Sequence, residues 1–450
     1  MEKSALYGRQ LCLTPDEARD LPPETQKMVG IQRNGQTLRC NRCGSNLTAT
    51  MAQLPNQQYY CYQCLNLGRV STLTSLYHIP EPNEFLNYPT CSWQGKLTSQ
   101  QAECAERVRA NFEQHGRHLL WAVTGAGKTE MLFPGLAWAL SYGLRCALAS
   151  PRVDVCLELA PRLQAAFQDA EIALLHGRSD EPYRYCQLTI CTTHQLLRFR
   201  AAFDVLIIDE VDAFPFAANP RLHYAVNQAV KPNGALLYMT ATPSRELLRQ
   251  VRRGQLSISY LPLRFHQHLL PTIKVSLQPH WWRTITRGQL PPCLRRKLTA
   301  YAKSHQRFLL FVPRVVQLAQ VKAAIERAVP TLNGLTVHST DPERLEKVQR
   351  MRDHQVQFLV TTTILERGVT LPGIDVIVLG ADDPIFSTAA LVQIAGRVGR
   401  SRDRPDGLVW FLCASYARTI KNARRQIKLV NQKGRRLQRA MPTVSSEHSS

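Results

Sequence analysis

Three groups of residues in this chain have the types and spacing that chemistry requires. The first is Ala122-Val-Thr-Gly-Ala-Gly-Lys128-Thr129-Glu130, which follows an apolar run at 118–123 and leads into Met131-Leu-Phe-Pro-Gly-Leu-Ala-Trp. Strand, glycine loop, helix is phosphate-binding geometry. Gly125 and Gly127 let the backbone curl so that the N–H groups from Thr124 through Ala126 to Gly127 point inward at a phosphate chain. Lys128 then reaches the β and γ phosphates, and the Thr129 hydroxyl ligates Mg²⁺. The strict pattern opens with Gly where this chain has Ala122. The second group is Asp209-Glu210-Val211-Asp212 at the end of the apolar run Val205-Leu-Ile-Ile208. A carboxylate pair at the end of a buried strand suits Asp209 holding Mg²⁺ through water and Glu210 acting as base or water-positioner.

The third group is Cys40-Asn-Arg-Cys43, seventeen intervening residues, and Cys61-Tyr-Gln-Cys64. Two C-x2-C knuckles at this separation match a tetrahedral four-thiolate Zn²⁺ site. Gly44 and Gly68 follow the knuckles, and the stretch between them suits a hairpin. Four protein ligands leave no open position for water, so the zinc is structural, supplying on the order of 10 kcal/mol of folding energy. Four buried thiols, or redox-active pairs, are the competing readings. Arg39, Arg42, Tyr59, Tyr60, Tyr62 and Arg69 stand around the knuckles. They suit either a base-stacking and phosphate-binding surface or, for the tyrosines, the mini-core of the ribbon.

Composition sets the frame. Lys plus Arg outnumber Asp plus Glu by 56 to 34 in 450 residues, a net charge of +22 that favours a polyanionic partner. The first ten residues hold no apolar signal core. The longest apolar-rich run, 131–144, is broken by Pro134 and Ser141 and stopped by Arg145, short of the roughly 20 residues a bilayer demands. A soluble, cytoplasmic protein is expected, and thirteen cysteines in a reducing compartment argue against a disulfide scaffold.

The elements that must position these groups follow from the pattern. Beyond the phosphate loop, β-rich runs at 146–150, 188–192, 205–208 and 235–239 alternate with helical stretches, which implies a parallel, doubly wound sheet. Thr240-Ala241-Thr242 closes the last run. Residues 80–89, broken by prolines, read as an extended linker. From 245 to about 293 the chain is basic and irregular and reads as an inter-domain connection. A second α/β domain follows, with runs at 308–312, 337–339, 358–363 and 375–379. It has no phosphate loop but carries Gln393-Ile-Ala-Gly396-Arg397-Val-Gly399-Arg400.

The ordered set of phosphate loop, Asp-Glu-x-Asp, Thr-Ala-Thr and Gln-x-x-Gly-Arg-x-Gly-Arg resembles the superfamily 2 helicases and translocases across roughly 96–415. The resemblance implies α/β architecture with two RecA-like lobes behind a small zinc-ribbon-like module, and ATP as the nucleotide. It also implies that Arg397 and Arg400 stabilise the transferring γ-phosphate across an inter-lobe cleft and that Gln393 senses the bound nucleotide. Leu97-Thr-Ser-Gln-Gln101 resembles the family's adenine-recognising segment, with Gln101 on the adenine edge, although a helix N-cap at Thr98 or Ser99 accounts for the same residues. The family's strand-gripping segments match Ser150-Pro151-Arg152, Thr192-Thr193 and Thr361-Thr362-Thr363, which hold phosphates without reading bases. Glu366-Arg367-Gly-Val-Thr370 matches the fifth motif, with Thr370 where many relatives have Asp.

With the four-cysteine ribbon directly ahead of the lobes, the chain most resembles the ComFA family of competence ATPases. That resemblance implies a single-stranded-DNA-stimulated ATPase, peripheral at the inner face of the cell membrane, working with competence proteins at a channel to take up DNA. A PriA-like repair or replication helicase, and a zinc-ribbon nucleic-acid binder with silent lobes, are the alternatives. The expected domains are 1–95 with the zinc module at about 38–70, 96–262 as the ATP-binding lobe, 263–415 as linker and second lobe, and a basic tail at 416–450. Nine basic residues and no acid between Arg418 and Arg439 suit a DNA backbone, anionic lipid or a merely solvated helix. Residues 445–450 read as disordered.

Overall fold

A computed structural model describes residues 2–85, 88–177, 182–367, 371–401 and 403–440. The expectations for Thr370 and for 445–450 therefore lie outside the described residues. The chain forms two units, Met1–Trp121 with Lys128–Tyr260 and Ala122–Gly127 with Leu261–Ser450.

In the first unit the four β-rich runs beyond the phosphate loop become adjacent strands. The seven-stranded sheet runs in the order Ile172–Leu175, Leu188–Thr192, Cys146–Ser150, Phe203–Ile208, Val230–Thr240, Arg117–Ala122, Ser257–Leu261. The first six pair in parallel, so the C-terminal ends of these strands share one edge. In open α/β sheets that edge is where ligands bind. The central strands are apolar on both faces, because helices such as Val153–Ala166 cover the sheet.

In the second unit six strands pair in parallel in the order Ile273–Leu277, Val409–Cys413, Asp375–Leu379, Phe308–Phe311, Phe358–Thr361, Gly334–Val337. The two-lobed α/β class expected from the sequence is thus present. The long helix Arg418–Ala440 packs in this unit, burying Ile420, Ala423, Ile427 and Val430 at helical spacing. Its nine basic residues are all exposed.

The described residues of the expected linker at 80–89 form no helix or strand, and within it Glu81 forms an ion pair with Arg145 in which both side chains are fully buried. Arg145 also donates to Tyr7 O at 2.9 Å and to Tyr183 Oη at 2.6 Å. Glu81 is the only carboxylate paired with that guanidinium among the described residues. The stretch from 245 to 293, expected to be irregular, holds the helix Arg245–Arg252, the strands Ser257–Leu261 and Ile273–Leu277, and the helices Trp281–Thr286 and Pro292–Ser304. Its edge strand buries Ser259 rather than an apolar residue, since Ser259 and Ser257 hydrogen-bond the two ring nitrogens of His118 at 2.9 and 2.6 Å. A polar inward-facing residue defeats reading by alternation.

Candidate nucleotide and nucleic-acid site

The phosphate loop leaves the strand Arg117–Ala122, and its turn needs glycine twice. Gly125 has φ +78° and Gly127 +74°, where a side chain would be strained. Ala126 N–H closes the turn on Val123 O at 3.2 Å. Within the first unit, Lys128 Nζ stands 3.7 Å from Asp209 Oδ1. The strand Phe203–Ile208 delivers Asp209 there, and Thr129 is buried alongside in the loop. Glu210 sits at φ +54°, a left-handed conformation uncommon for a non-glycine residue, and its N–H donates to Asp209 Oδ1 at 2.8 Å. Lysine and carboxylate so disposed have the charges to hold a phosphate chain and a divalent cation. The Thr124 hydroxyl is buried with no hydrogen-bond partner among the described residues.

Asp212 is a residue whose role the sequence did not reveal. It accepts from Thr240 Oγ1 at 2.6 Å and from Thr242 Oγ1, tying the end of one strand to the end of its neighbour. Trp121 Nε1 donates to Ala241 O at 3.1 Å. The residues just past the Asp-Glu pair are thereby bonded to Thr-Ala-Thr. Gln101 serves the helix Ser99–Glu113: its Oε1 accepts from Thr98 N–H at 2.9 Å and its own N–H donates to Thr98 Oγ1 at 3.3 Å, a capping box. The N-cap expectation at Thr98 therefore holds, and it engages the same Gln oxygen that would read adenine.

In the second unit Gln393 and Arg397 are buried and Arg400 is half-buried. Arg397 Nε donates to Glu366 O at 3.0 Å and Arg400 Nε to Gly396 O at 3.2 Å. Gly396 admits no side chain, as a Cβ there would lie 1.9 Å from Thr124 Oγ1. Arg264, passed over as part of a basic connection, donates to Gly399 O and, at 3.5 Å, to Gly396 O. Burial, reinforced by the neighbouring charge of Arg400, pushes its pKa down to about 9. His266 Nε2 lies 3.0 Å from the same Gly399 O. The Arg-x-His spacing ahead of a glycine-arginine turn is the signal that could have marked this clasp.

The proposed strand contacts sit at strand ends. Ser150 closes its strand, with Pro151 and Arg152 following, and Thr192, itself buried, closes its own. Thr193 is wholly buried, with its N–H donated to Ser150 O at 2.9 Å. Thr361 is wholly buried too, and its hydroxyl donates to Val337 O at 3.0 Å, whereas Thr362 is half-exposed. As placed, the Thr193 N–H and the Thr361 hydroxyl brace strand ends, while the Thr193 hydroxyl is buried with no hydrogen-bond partner among the described residues. Sequence spacing cannot tell these neighbours apart.

The four cysteine sulfurs lie within 4.8 Å of one another, and all four residues are buried. Cys40 and Cys64 Sγ are 3.9 Å apart and Cys43 and Cys61 Sγ 3.7 Å. Tetrahedral zinc with Zn–S bonds of about 2.3 Å sets its sulfurs about 3.8 Å apart, so the residues fit the ion. They are far too distant for disulfides. Arg42 is buried and donates to Cys64 O at 3.1 Å, Leu67 O at 3.1 Å and Gly68 O, capping the second knuckle. Tyr59 and Tyr62 pack against a core that joins the cysteines to Phe199, Phe203, Phe216 and Val226. The module is therefore continuous with the first lobe's core rather than self-contained. Gly44, at φ +71°, approaches Tyr224 so closely that a Cβ would meet its ring at 2.6 Å.

Comparison with known proteins agrees with this layout. The ComFA N-terminal domain of competence proteins matches residues 24–78, the res subunit of type III restriction enzymes 94–245, and the helicase conserved C-terminal domain 292–402. Competence protein ComFA of Bacillus subtilis strain 168 is 43% identical over 412 residues, covering 89% of this chain and 87% of that protein. Competence protein ComFA of Streptococcus pneumoniae R6 is 39% identical over 416 residues, covering 92% and 95%. Among solved structures, the DEAD-box helicase Mss116 bound to ssRNA and UDP-BeF superposes with a TM-score of 0.57 at 16% identity, covering 70% of this chain and 69% of that one, a likeness of fold.

Proposed function

Because the chain belongs to the ComFA family of competence proteins, we propose that it is an ATP-driven motor that moves along single-stranded DNA and draws it in across the cytoplasmic membrane. The observation that carries this reading is Lys128 at 3.7 Å from Asp209, with Glu210 held beside it in a left-handed conformation. The 124–127 backbone cradles the phosphates, Lys128 and Thr129 hold the phosphate chain and Mg²⁺, Asp209 supports the cation through water, and Glu210 orients the attacking water. Gln101 and Gln393 report the nucleotide, and Arg397 and Arg400 stabilise charge on the transferring phosphoryl group. Mg²⁺, when bound, supplies charge neutralisation at the β and γ oxygens. The clasp of Asp212 on Thr240 and Thr242 carries the hydrolytic state outward. Pro151, Arg152, Thr192 and Thr362 grip the strand's phosphates. Zinc held by Cys40, Cys43, Cys61 and Cys64 is structural.

No helix among the described residues is long and apolar enough to cross a membrane. The exposed cations of Arg418–Ala440 dock the motor on the anionic inner face, beside competence proteins at the channel. The test is displacement of streptavidin from the end of a biotinylated single strand: ATP-dependent displacement supports translocation, and DNA-stimulated hydrolysis without displacement refutes it.

A further inference from the structure

A cavity of about 180 Å³ opens in the first unit where the N-terminal segment meets the lobe, and Arg9, Arg198, Gln195, His176 and Tyr183 are among its walls. The backbone builds it firmly. Gln10 N–H donates to Arg198 O at 2.7 Å and Arg200 N–H to Gly8 O at 2.8 Å, an antiparallel bridge between Arg9 and Phe199 that holds Arg9 beside Arg198, the last residue of the short 3-10 helix Gln195–Arg198. Arg9 lies flat on the Tyr183 ring, 4.1 Å from its centre. Among the described residues no acidic residue lines the cavity and neither arginine makes an ion pair. Arg198 Nε is buried without a hydrogen-bond partner. Burial and mutual repulsion push both guanidinium pKa values down, Arg9 against Arg198 and Arg198 against Arg42. Concentrated, partly desolvated positive charge with open donors has one natural complement, an oxyanion.

The size and place of the cavity narrow the ligand. It is below the roughly 300 Å³ at which pockets begin to enclose whole small-molecule ligands, so it suits one phosphate and not a nucleotide. Its walls include Leu175 and His176 at the C-terminal end of the strand Ile172–Leu175 and Gln195, three residues past the strand Leu188–Thr192, together with Tyr183 and Phe199, which pack on Arg145. Leu67, just past the second zinc knuckle, forms part of its wall. We propose that this cavity is a phosphodiester subsite, in which Arg9 and Arg198 hold one backbone phosphate of a single strand that runs on from Thr192 toward the zinc module. The proposal rests on the reading of the protein as a single-strand motor.

Binding of a fluorescent single-stranded DNA is measured over a salt series for the full zinc-bound chain, Arg9→Gln/Arg198→Gln, and Arg9→Lys/Arg198→Lys. Losing one phosphate contact lowers the salt slope by about 0.7 and weakens binding about fivefold at 0.1 M salt. That loss in the Gln variant, substantial recovery in the Lys variant, and unchanged zinc content and ATP affinity in both are expected. An unchanged slope in a folded Gln variant overturns the proposal. Should the wild-type chain bind no single-stranded DNA, the motor reading fails separately. Inorganic phosphate then decides the subsite: thermal stabilisation present in wild type and reduced in the Gln variant sustains an anion site fed from another source, and equal stabilisation overturns it.

Discussion

Glu81 and Arg145 offer the sharpest structural perturbation. Both side chains are 0% exposed, so removing one charge strands the other in a medium where water cannot compensate. Breaking such a pair costs about 3–5 kcal/mol, a large share of the 5–15 kcal/mol that holds a domain together. Glu81→Gln is the cleanest change, because it keeps the shape and leaves an amide oxygen to accept from Tyr185, which now donates to Glu81. Arg145 would retain Tyr7 O and the Tyr183 hydroxyl, which places the expected loss near the lower bound. In urea, at an m-value of about 3 kcal/mol/M, the midpoint of the first-unit transition should fall by roughly 1 M. Arg145→Met should cost as much or more, since the guanidinium also faces the Tyr185, Phe199 and Phe203 rings. The double variant should lose clearly less than the sum. A loss below about 1 kcal/mol for Glu81→Gln, the magnitude of a surface pair, would show that the pair does not anchor Glu81 to the lobe.

Other outcomes follow from the same geometry. Lys128→Ala should abolish ATP turnover with an unchanged melting curve; full activity would refute the phosphate loop. Arg400→Ala should leave nucleotide affinity within a few-fold in a fluorescent-analogue titration and reduce hydrolysis by ~10³, and an equal loss of both would place Arg400 in binding instead. Cys40→Ser should release zinc by metal analysis and also lower the urea midpoint of the first lobe, because the sulfurs share its core; an unaffected lobe would restore a separate module. Burial pushes the His118 pKa down to about 4, against an ordinary value near 6.5. Above pH 6.5 the ring is neutral in folded and unfolded chains and its contribution is complete. Between pH 6.5 and 4 only the unfolded chain takes up the proton, so stability should fall by about 2 kcal/mol from pH 7 to pH 5. His118→Asn should lack that component, and an identical pH dependence in both proteins would contradict it.

Much of the architecture was legible because its signals are local. Gly125 and Gly127 need positive φ, four cysteines at fixed spacing need a metal, and apolar runs ending in Asp209 or Thr240 need a covered parallel sheet. What escaped were long-range partnerships between residues with no distinctive local pattern. Asp212 meets Thr240 and Thr242 across two strand ends, Glu81 meets Arg145 from a proline-rich stretch, and Arg264 clasps Gly399 from what read as a basic connection. Arg42 and Thr361 have local bonds that their residue types do not announce. Arginine beside a knuckle and threonine at a strand end suit phosphate contacts by type, and only the structure reveals that Arg42 donates to Cys64 O and the Thr361 hydroxyl to Val337 O.

The central claim is that this is a single-strand-driven ATPase, and steady-state hydrolysis tests it most directly. The zinc-bound protein is assayed at fixed salt without nucleic acid, then with single-stranded DNA, duplex DNA or single-stranded RNA. The account predicts strong stimulation by single-stranded DNA above either alternative. Equal or greater stimulation by duplex or RNA, or no hydrolysis under any condition, would contradict it.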